Sequence, residues 1–155
     1  DQFVYMAAYG AKLAVKNAVL GDDQRYDNAA MPWVVFSDPQ VAGVGLSEQQ
    51  ARDAGFDVKT SVVPLDQVPR ALAARDTRGL IKLVADRATD KLLGGQIIAP
   101  EGSDTIQTLV MALKFGMTTK DLGATIFPYL TTVEGLKLAA QTFDMDVAKL
   151  SCCAG

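Results

Sequence analysis

The chain has 155 residues, of which 49% are hydrophobic and 21% charged, and its formal net charge is −3. This length and composition are typical of one folded domain and exclude an intrinsically disordered chain. Acidic residues slightly outnumber basic ones, and no apolar run approaches the ~20 residues that span a bilayer, so we expect neither a nucleic-acid partner nor a membrane span.

The N-terminal part of the sequence predicts one helix followed by a linker. Apolar residues recur every three or four positions over residues 2–20, and Gly21 stands where a glycine commonly ends a helix. Residues 22–30 are polar and irregular, which is typical of a linker.

The middle of the chain predicts strands joined mainly by hairpins. Strand patterns occupy residues 33–36, 41–45, 56–65, 80–84 and 92–98. Residues 86–90 predict a hairpin turn, and Ser47 with Gln50 forms a capping-box pattern that begins a short helix. Pro69-Arg70 and residues 75–78 are expected in a solvated loop.

Two glycine clusters require a choice between a strand and a phosphate-binding loop. Gly43-Val44-Gly45 precedes a helix, but it lacks the third glycine of a dinucleotide-binding loop, so we favour a strand. The pair Gly94-Gly95 indicates a bulge or close packing within a strand.

The C-terminal part predicts three helices, at residues 103–115, from Thr118 onward, and at 133–143, with a break at Phe127-Pro128-Tyr129. Strands grouped together and helices grouped after them indicate an α+β fold with an antiparallel sheet flanked by helices.

Two residue types restrict the chemistry of the chain. The sequence contains no histidine, which excludes His-based triads and imidazole-ligated metals within this chain. Its only cysteines, Cys152 and Cys153, are adjacent, and so low a count indicates a reducing compartment, which we take to be the cytoplasm. Two neighbouring thiolates suit a soft metal ion but are too few for structural zinc. From the residues alone, a soft-metal site and an incidental pair are equally open.

The loop before the last predicted helix carries the other candidate site. Tyr129 and Glu134 place a phenol and a carboxyl group five residues apart. Both also have ordinary structural explanations, because Glu134 in a first helical turn is favoured by the helix dipole and Tyr129 could pack in the core.

Several segments resemble one known family. Residues 127–131 read Phe-Pro-Tyr-Leu-Thr, 134–143 read Glu-Gly-Leu-Lys-Leu-Ala-Ala-Gln-Thr-Phe, and 150–155 read Leu-Ser-Cys-Cys-Ala-Gly. With residues 2–5, 35–42 and 68–73, these segments resemble the C-terminal part of the flavin-dependent pyridine nucleotide–disulfide oxidoreductases, in particular the mercury(II)-reducing members.

The resemblance implies a division of the chain and a set of cofactors. Residues 1–25 would be the last helix of an FAD-binding domain, and residues 30–155 the dimerisation (interface) domain of a homodimer. The FAD- and NADPH-binding motifs would lie upstream, so we expect a fragment of an NADPH- and FAD-dependent Hg(II) reductase that is not active alone. The backbone at Val4, where the first helix begins, would approach the flavin.

The resemblance also assigns roles to the candidate site residues. Cys152 and Cys153 would take Hg(II), including thiol-bound Hg(II), and pass it to the partner subunit's active site. Tyr129 and Glu134 occupy the positions of a His–Glu pair in disulfide-reducing relatives, and the phenol would lie beside the metal. The alternatives are a dimerisation module of another flavin disulfide reductase and a stand-alone Hg(II)-binding protein.

Overall fold

The computed structural model describes residues 2–146. Five strands are present in this range: β1 Pro32–Val35, β2 Gln40–Gly45, β3 Val58–Pro64, β4 Leu80–Asp86 and β5 Leu92–Ala99. The α-helices of the same range are α1 Val4–Val15, α2 Glu48–Asp53, α3 Pro69–Ala74, α4 Gly102–Lys114, α5 Thr119–Ala124 and α6 Glu134–Gln141. A π-helical segment, Lys16–Leu20, continues α1, and a 3-10 segment, Leu65–Gln67, precedes α3.

The five strands form one sheet in the order β1-β2-β5-β4-β3. Every neighbouring pair is antiparallel, and the β4–β5 and β1–β2 pairs are hairpins. The predicted α+β class with an antiparallel sheet is therefore confirmed.

The core lies between one face of the sheet and the C-terminal helices. The sheet contributes alternate residues, among them Val63, Ile81, Leu83 and Ile97, which are fully buried. They contact the apolar faces of α4 and α6, whose buried residues include Ile106, Leu109, Leu136 and Ala139. Burial of these side chains is the main stabilising contribution to the domain.

The first helix is attached to this body by few contacts. Only Met6 and Leu13 of α1 are buried, whereas Val4 is 85% exposed. The Tyr5 hydroxyl donates to the Pro32 carbonyl at 2.6 Å, and a cavity of about 650 Å³ lies between α1 and the body. As predicted, the helical segment ends at Gly21, which adopts a left-handed conformation.

The glycine clusters have structural roles. Gly43 lies in β2 opposite Trp33, whose indole covers it so closely that a Cβ would come within 2.5 Å of the ring. A Cβ on Gly94 would likewise clash with the backbone of Leu46. The register between β4 and β5 shifts next to Gly94, between Val84 and Ala85. The strand and bulge interpretations are thus confirmed.

One expected loop is a helix. Residues 69–74 form α3 instead of a solvated loop, because Pro69 occupies the first helical position and Ala71 is buried against the core. The helix ends before the charged residues 75–78, at Arg75, whose backbone is left-handed. None of the helices in the described residues is long and apolar enough to cross a membrane.

Candidate functional site

The loop between α5 and α6 presents Tyr129 to the exterior. Phe127 and Val133 at either end of the loop pack against the core. Between them the chain projects outward, and the side chain of Tyr129 is 63% exposed. The sequence-based alternative, in which Tyr129 is a packed core aromatic, is therefore wrong.

Glu134, the first residue of α6, is turned back under this loop. Its side chain is 5% exposed, and Oε2 accepts a hydrogen bond from the backbone N–H of Leu130 at 3.2 Å. The start of a helix also favours a negative charge, as predicted from the sequence. The carboxyl group thus contacts the backbone of the residue that follows Tyr129.

Thr131 closes the other side of the same loop. Its hydroxyl accepts from the backbone N–H of Glu134 at 3.3 Å and donates to the carbonyl of Pro128 at 2.8 Å. The backbone of Leu130, between these two bonds, is left-handed with φ 64°. This arrangement is not among the features predicted from the sequence, although Thr131 and Glu134 have the spacing of a capping box, which is a usable signal.

A second contact ties the loop to α4. The hydroxyl of Thr132 donates to Oε2 of Glu101 at 3.2 Å, and Glu101 immediately precedes α4. These residues are 31 positions apart, so only the folded chain brings them together. The loop is therefore fixed to the N-terminal ends of both α4 and α6.

Val4 lies far along the chain from this loop, at the N-terminus of α1. Phe3 precedes the helix and provides no side-chain cap, and the first turn contains no acidic residue. A helix start of this kind presents backbone N–H groups that suit an anionic or carbonyl acceptor.

The C-terminal end of α6 is anchored to the sheet. The hydroxyls of Thr142 and Ser61 are hydrogen-bonded, and the Lys59 ammonium lies 5.0 Å from the centroid of the Phe143 ring. Lys59 also pairs with Asp90. The anchored residues immediately precede the C-terminal segment that carries the cysteines.

Cys152 and Cys153 lie outside the described residues. Within residues 2–146, no three carboxyl-bearing or other metal-ligating side chains lie close enough together to hold a metal ion. These two cysteines are the only residues of the sequence that can form thiolates, which are soft metal ligands.

Comparison with known proteins identifies similar chains. Residues 31–140 match the family model described as the dimerisation domain of pyridine nucleotide-disulphide oxidoreductases. The chain is 54% identical over 154 residues to a mercuric reductase of Bacillus cereus and 53% identical to one of Lysinibacillus sphaericus. Each alignment covers 99% of this chain but only 24% and 28% of those relatives. The chain thus spans about a quarter of the length of these proteins.

Solved structures give the same result for the fold. A flavoprotein disulfide reductase of Escherichia coli, RclA, described as HOCl-induced, matches with a TM-score of 0.82 and 28% identity, covering 91% of this chain and 33% of that one. LpdA of Mycobacterium tuberculosis matches with a TM-score of 0.80 and 25% identity, covering 88% and 30% respectively.

Proposed function

Because the chain belongs to the pyridine nucleotide–disulphide oxidoreductases through their dimerisation domain, we propose that it is the C-terminal part of a mercury(II) reductase. The observation that carries the proposal is a sequence identity of more than 50% to two mercuric reductases along nearly the whole chain. The solved structures of LpdA and RclA are only 25% and 28% identical to it over the aligned residues. Another disulfide reductase of the same fold is therefore the weaker alternative.

The packing of α1 supports the proposed division of the chain. Residues 1–25 belong to an FAD-binding domain, which accounts for the exposed apolar side chains of Val15, Val19 and Leu20 and for the cavity behind α1. Residues 30–155 form the dimerisation domain. A stand-alone Hg(II) carrier would leave this helix without a partner, so we do not favour it.

The second subunit is another copy of the same chain. The family match is to a dimerisation domain, and exposed apolar side chains occur at Met111 in α4, at Phe115 directly after it and at Ile126 after α5, the last at 94%. Apolar side chains of this size are stabilised when a partner removes them from water.

The chemistry on Hg(II) is divided between the C-terminal cysteines and the exposed loop. Cys152 and Cys153 accept Hg(II) from small thiols and pass it to the partner subunit, each new Hg–S bond forming before an old one breaks. Tyr129 lies beside the bound ion, and the exposure of its phenol is compatible with that position. Nine residue steps separate Phe143 from Cys152, which limits the reach of the tail from its anchor to about 30 Å.

The reduction itself requires the cofactors of the complete enzyme. Bound FAD would supply the two electrons, taken from NADPH, that the reduction of Hg(II) to Hg(0) requires. Val4 and the amides of the α1 N-terminus would contact the flavin, and the uncapped start of this helix fits that contact. The isolated chain is therefore not expected to turn over Hg(II), and the low cysteine count of the sequence supports a cytoplasmic enzyme.

The test is an Hg(II) titration of the reduced chain in the presence of competing cysteine. We expect one Hg(II) retained per chain, lost in both Cys152→Ala and Cys153→Ala, while the neighbouring Ser151→Ala binds as the wild type does. If no Hg(II) is retained, the chain is a dimerisation module with an incidental cysteine pair. Retention that survives both cysteine variants would contradict the proposed site directly.

A further inference from the structure

We propose that Glu134 and Thr131 are positioning residues that clamp the loop presenting Tyr129, and that Glu134 does not act as an acid or base. The proposal rests on the function proposed above, because it gives these residues a role in that same site. It differs from the role of the carboxyl group in the histidine-containing relatives, where it is paired with an imidazole.

The Glu134 side chain is turned toward the backbone of the loop and away from the exterior. Its Oε2 accepts from the Leu130 N–H at 3.2 Å, and only 5% of the residue is exposed. A buried carboxyl group that already accepts a backbone hydrogen bond is well suited to hold a conformation. Tyr129, by contrast, is mostly exposed, so the group that reaches the exterior is the phenol.

The backbone conformation of the loop at Leu130 requires stabilising contacts. Leu130 has a left-handed backbone, which is costly for a residue with a branched side chain and is maintained only by surrounding contacts. The contacts here are the Leu130 N–H to Glu134 and the Thr131 hydroxyl, which bonds both Glu134 N and Pro128 O. Together they enclose Tyr129 and Leu130 in one hydrogen-bonded loop.

The residues that hold the loop are themselves attached to the core. Glu134 is followed by Gly135, whose lack of a side chain lets α6 lie against Ile81 of β4. Thr132 is bonded to Glu101 at the start of α4. Because α6 and α4 both pack on the sheet, the position of the Tyr129 backbone is set by the rigid core.

The structural arm of the test is limited chymotrypsin digestion of the whole chain, with the cleavage rate after Tyr129 and Leu130 followed by mass spectrometry. We expect Glu134→Ala to raise this rate at least tenfold, and Glu134→Gln, which keeps an acceptor oxygen, to stay within threefold of wild type. Thr131→Val should raise the rate and Thr131→Ser should not. Lys137→Ala, one turn along α6, is the matched control and should leave it unchanged.

The functional arm uses the full-length reductase containing this chain, with Hg(II) in excess cysteine as substrate. We expect Glu134→Ala to lower turnover when Tyr129 is present and to cause no further loss in the Tyr129→Phe background. Glu134→Gln should retain wild-type turnover and pH dependence.

Three results would overturn the proposal. The first is a cleavage rate of Glu134→Ala equal to that of wild type. The second is that Glu134→Ala lowers turnover as much in the Tyr129→Phe background as it does when Tyr129 is present. The third is that Glu134→Gln loses turnover although its cleavage rate is unchanged. If Tyr129→Phe itself has wild-type turnover, the proposed role of the phenol fails, and the digestion arm alone then decides on the clamp.

Discussion

Gly135 of α6 lies directly against Ile81 of β4, so closely that a Cβ on Gly135 would come within 2.6 Å of Ile81 Cδ1. Ile81 is fully buried in the core. The absence of a side chain at residue 135 therefore gives the first turn of α6 room to approach the sheet with Ile81 in its present position. This contact fixes where Glu134, the preceding residue, can reach.

Replacing Gly135 by Ala is expected to lower the free energy of unfolding by about 1–3 kcal/mol, because the added methyl must displace Ile81 in a packed core. Gly123→Ala is the control, since its Cβ would meet Gln141 Cγ at an ordinary 3.4 Å. Urea unfolding measures both variants. A Gly135→Ala midpoint at or above that of Gly123→Ala would contradict the packing argument.

Asp90 is expected to be the most important carboxylate for stability among the described ion pairs. Burial opposes its charge, but hydrogen bonds from Lys59 and Thr119 outweigh that effect and lower its pKa. Asn tolerates the left-handed backbone at this position, so Asp90→Asn removes the charge without a backbone penalty. We expect a loss of about 1–2 kcal/mol.

The control for this prediction is Asp57→Asn. Asp57 pairs with Arg87 at 3.5 Å, but both side chains are more than 60% exposed, and such pairs contribute little. Thermal unfolding of the two variants under the same conditions makes the comparison. An equal loss of stability in Asp90→Asn and Asp57→Asn would show that burial does not make the Asp90 pair more stabilising than the Asp57 pair.

The ion pairs of Glu48 predict a specific dependence of stability on pH. Hydrogen bonds from Lys82 and then Arg52 lower the pKa of Glu48 from 4.5 to about 2. A lowered folded-state pKa stabilises the protein above about pH 4.5, and this contribution is lost as the pH falls toward 2. The difference in urea midpoint between wild type and Glu48→Gln should therefore shrink between pH 5 and pH 2. A difference in urea midpoint that grows as the pH falls would mean that folding raises the pKa of Glu48, which contradicts the prediction.

Leu130→Gly tests the backbone cost within the Tyr129 loop. Gly adopts the left-handed conformation without a steric penalty, whereas Leu130 is 39% exposed and more than half of it is buried. The relief of backbone strain opposes the lost burial and the flexibility that glycine adds to the unfolded chain, so we expect the variant to stay within about 1 kcal/mol of wild type. Urea unfolding is again the measurement, and a loss above about 1 kcal/mol would show that the Leu130 side chain, and not its backbone, determines the conformation.

Most of the fold could be predicted because its signals are local. The alternating residues of β4 and β5 and the turn between them define the hairpin, and Ser47 with Gln50 forms the predicted capping box at α2. The α3 helix was missed because six residues carry too few apolar positions to show a helical period. Its signal was Pro69 at the first helical position.

The candidate site could be predicted only in part. The loop and the place of Glu134 at the start of α6 follow from local sequence, and both are confirmed. The bond from Leu130 N–H depends on a left-handed backbone that a leucine rarely adopts, so the residue type gives no indication of it. The bond between Thr132 and Glu101 depends on tertiary packing, which no local pattern contains.

The placement of Trp33 over Gly43 gives the domain an intrinsic optical reporter. Trp33 is the one tryptophan of the chain and lies on β1, at the edge of the sheet. Its emission will therefore follow the detachment of β1 from β2, whereas circular dichroism follows all strands and helices together. Coincident unfolding curves from the two signals will mean that the edge strand separates together with the rest of the sheet, and an earlier fluorescence transition will mean that it frays first.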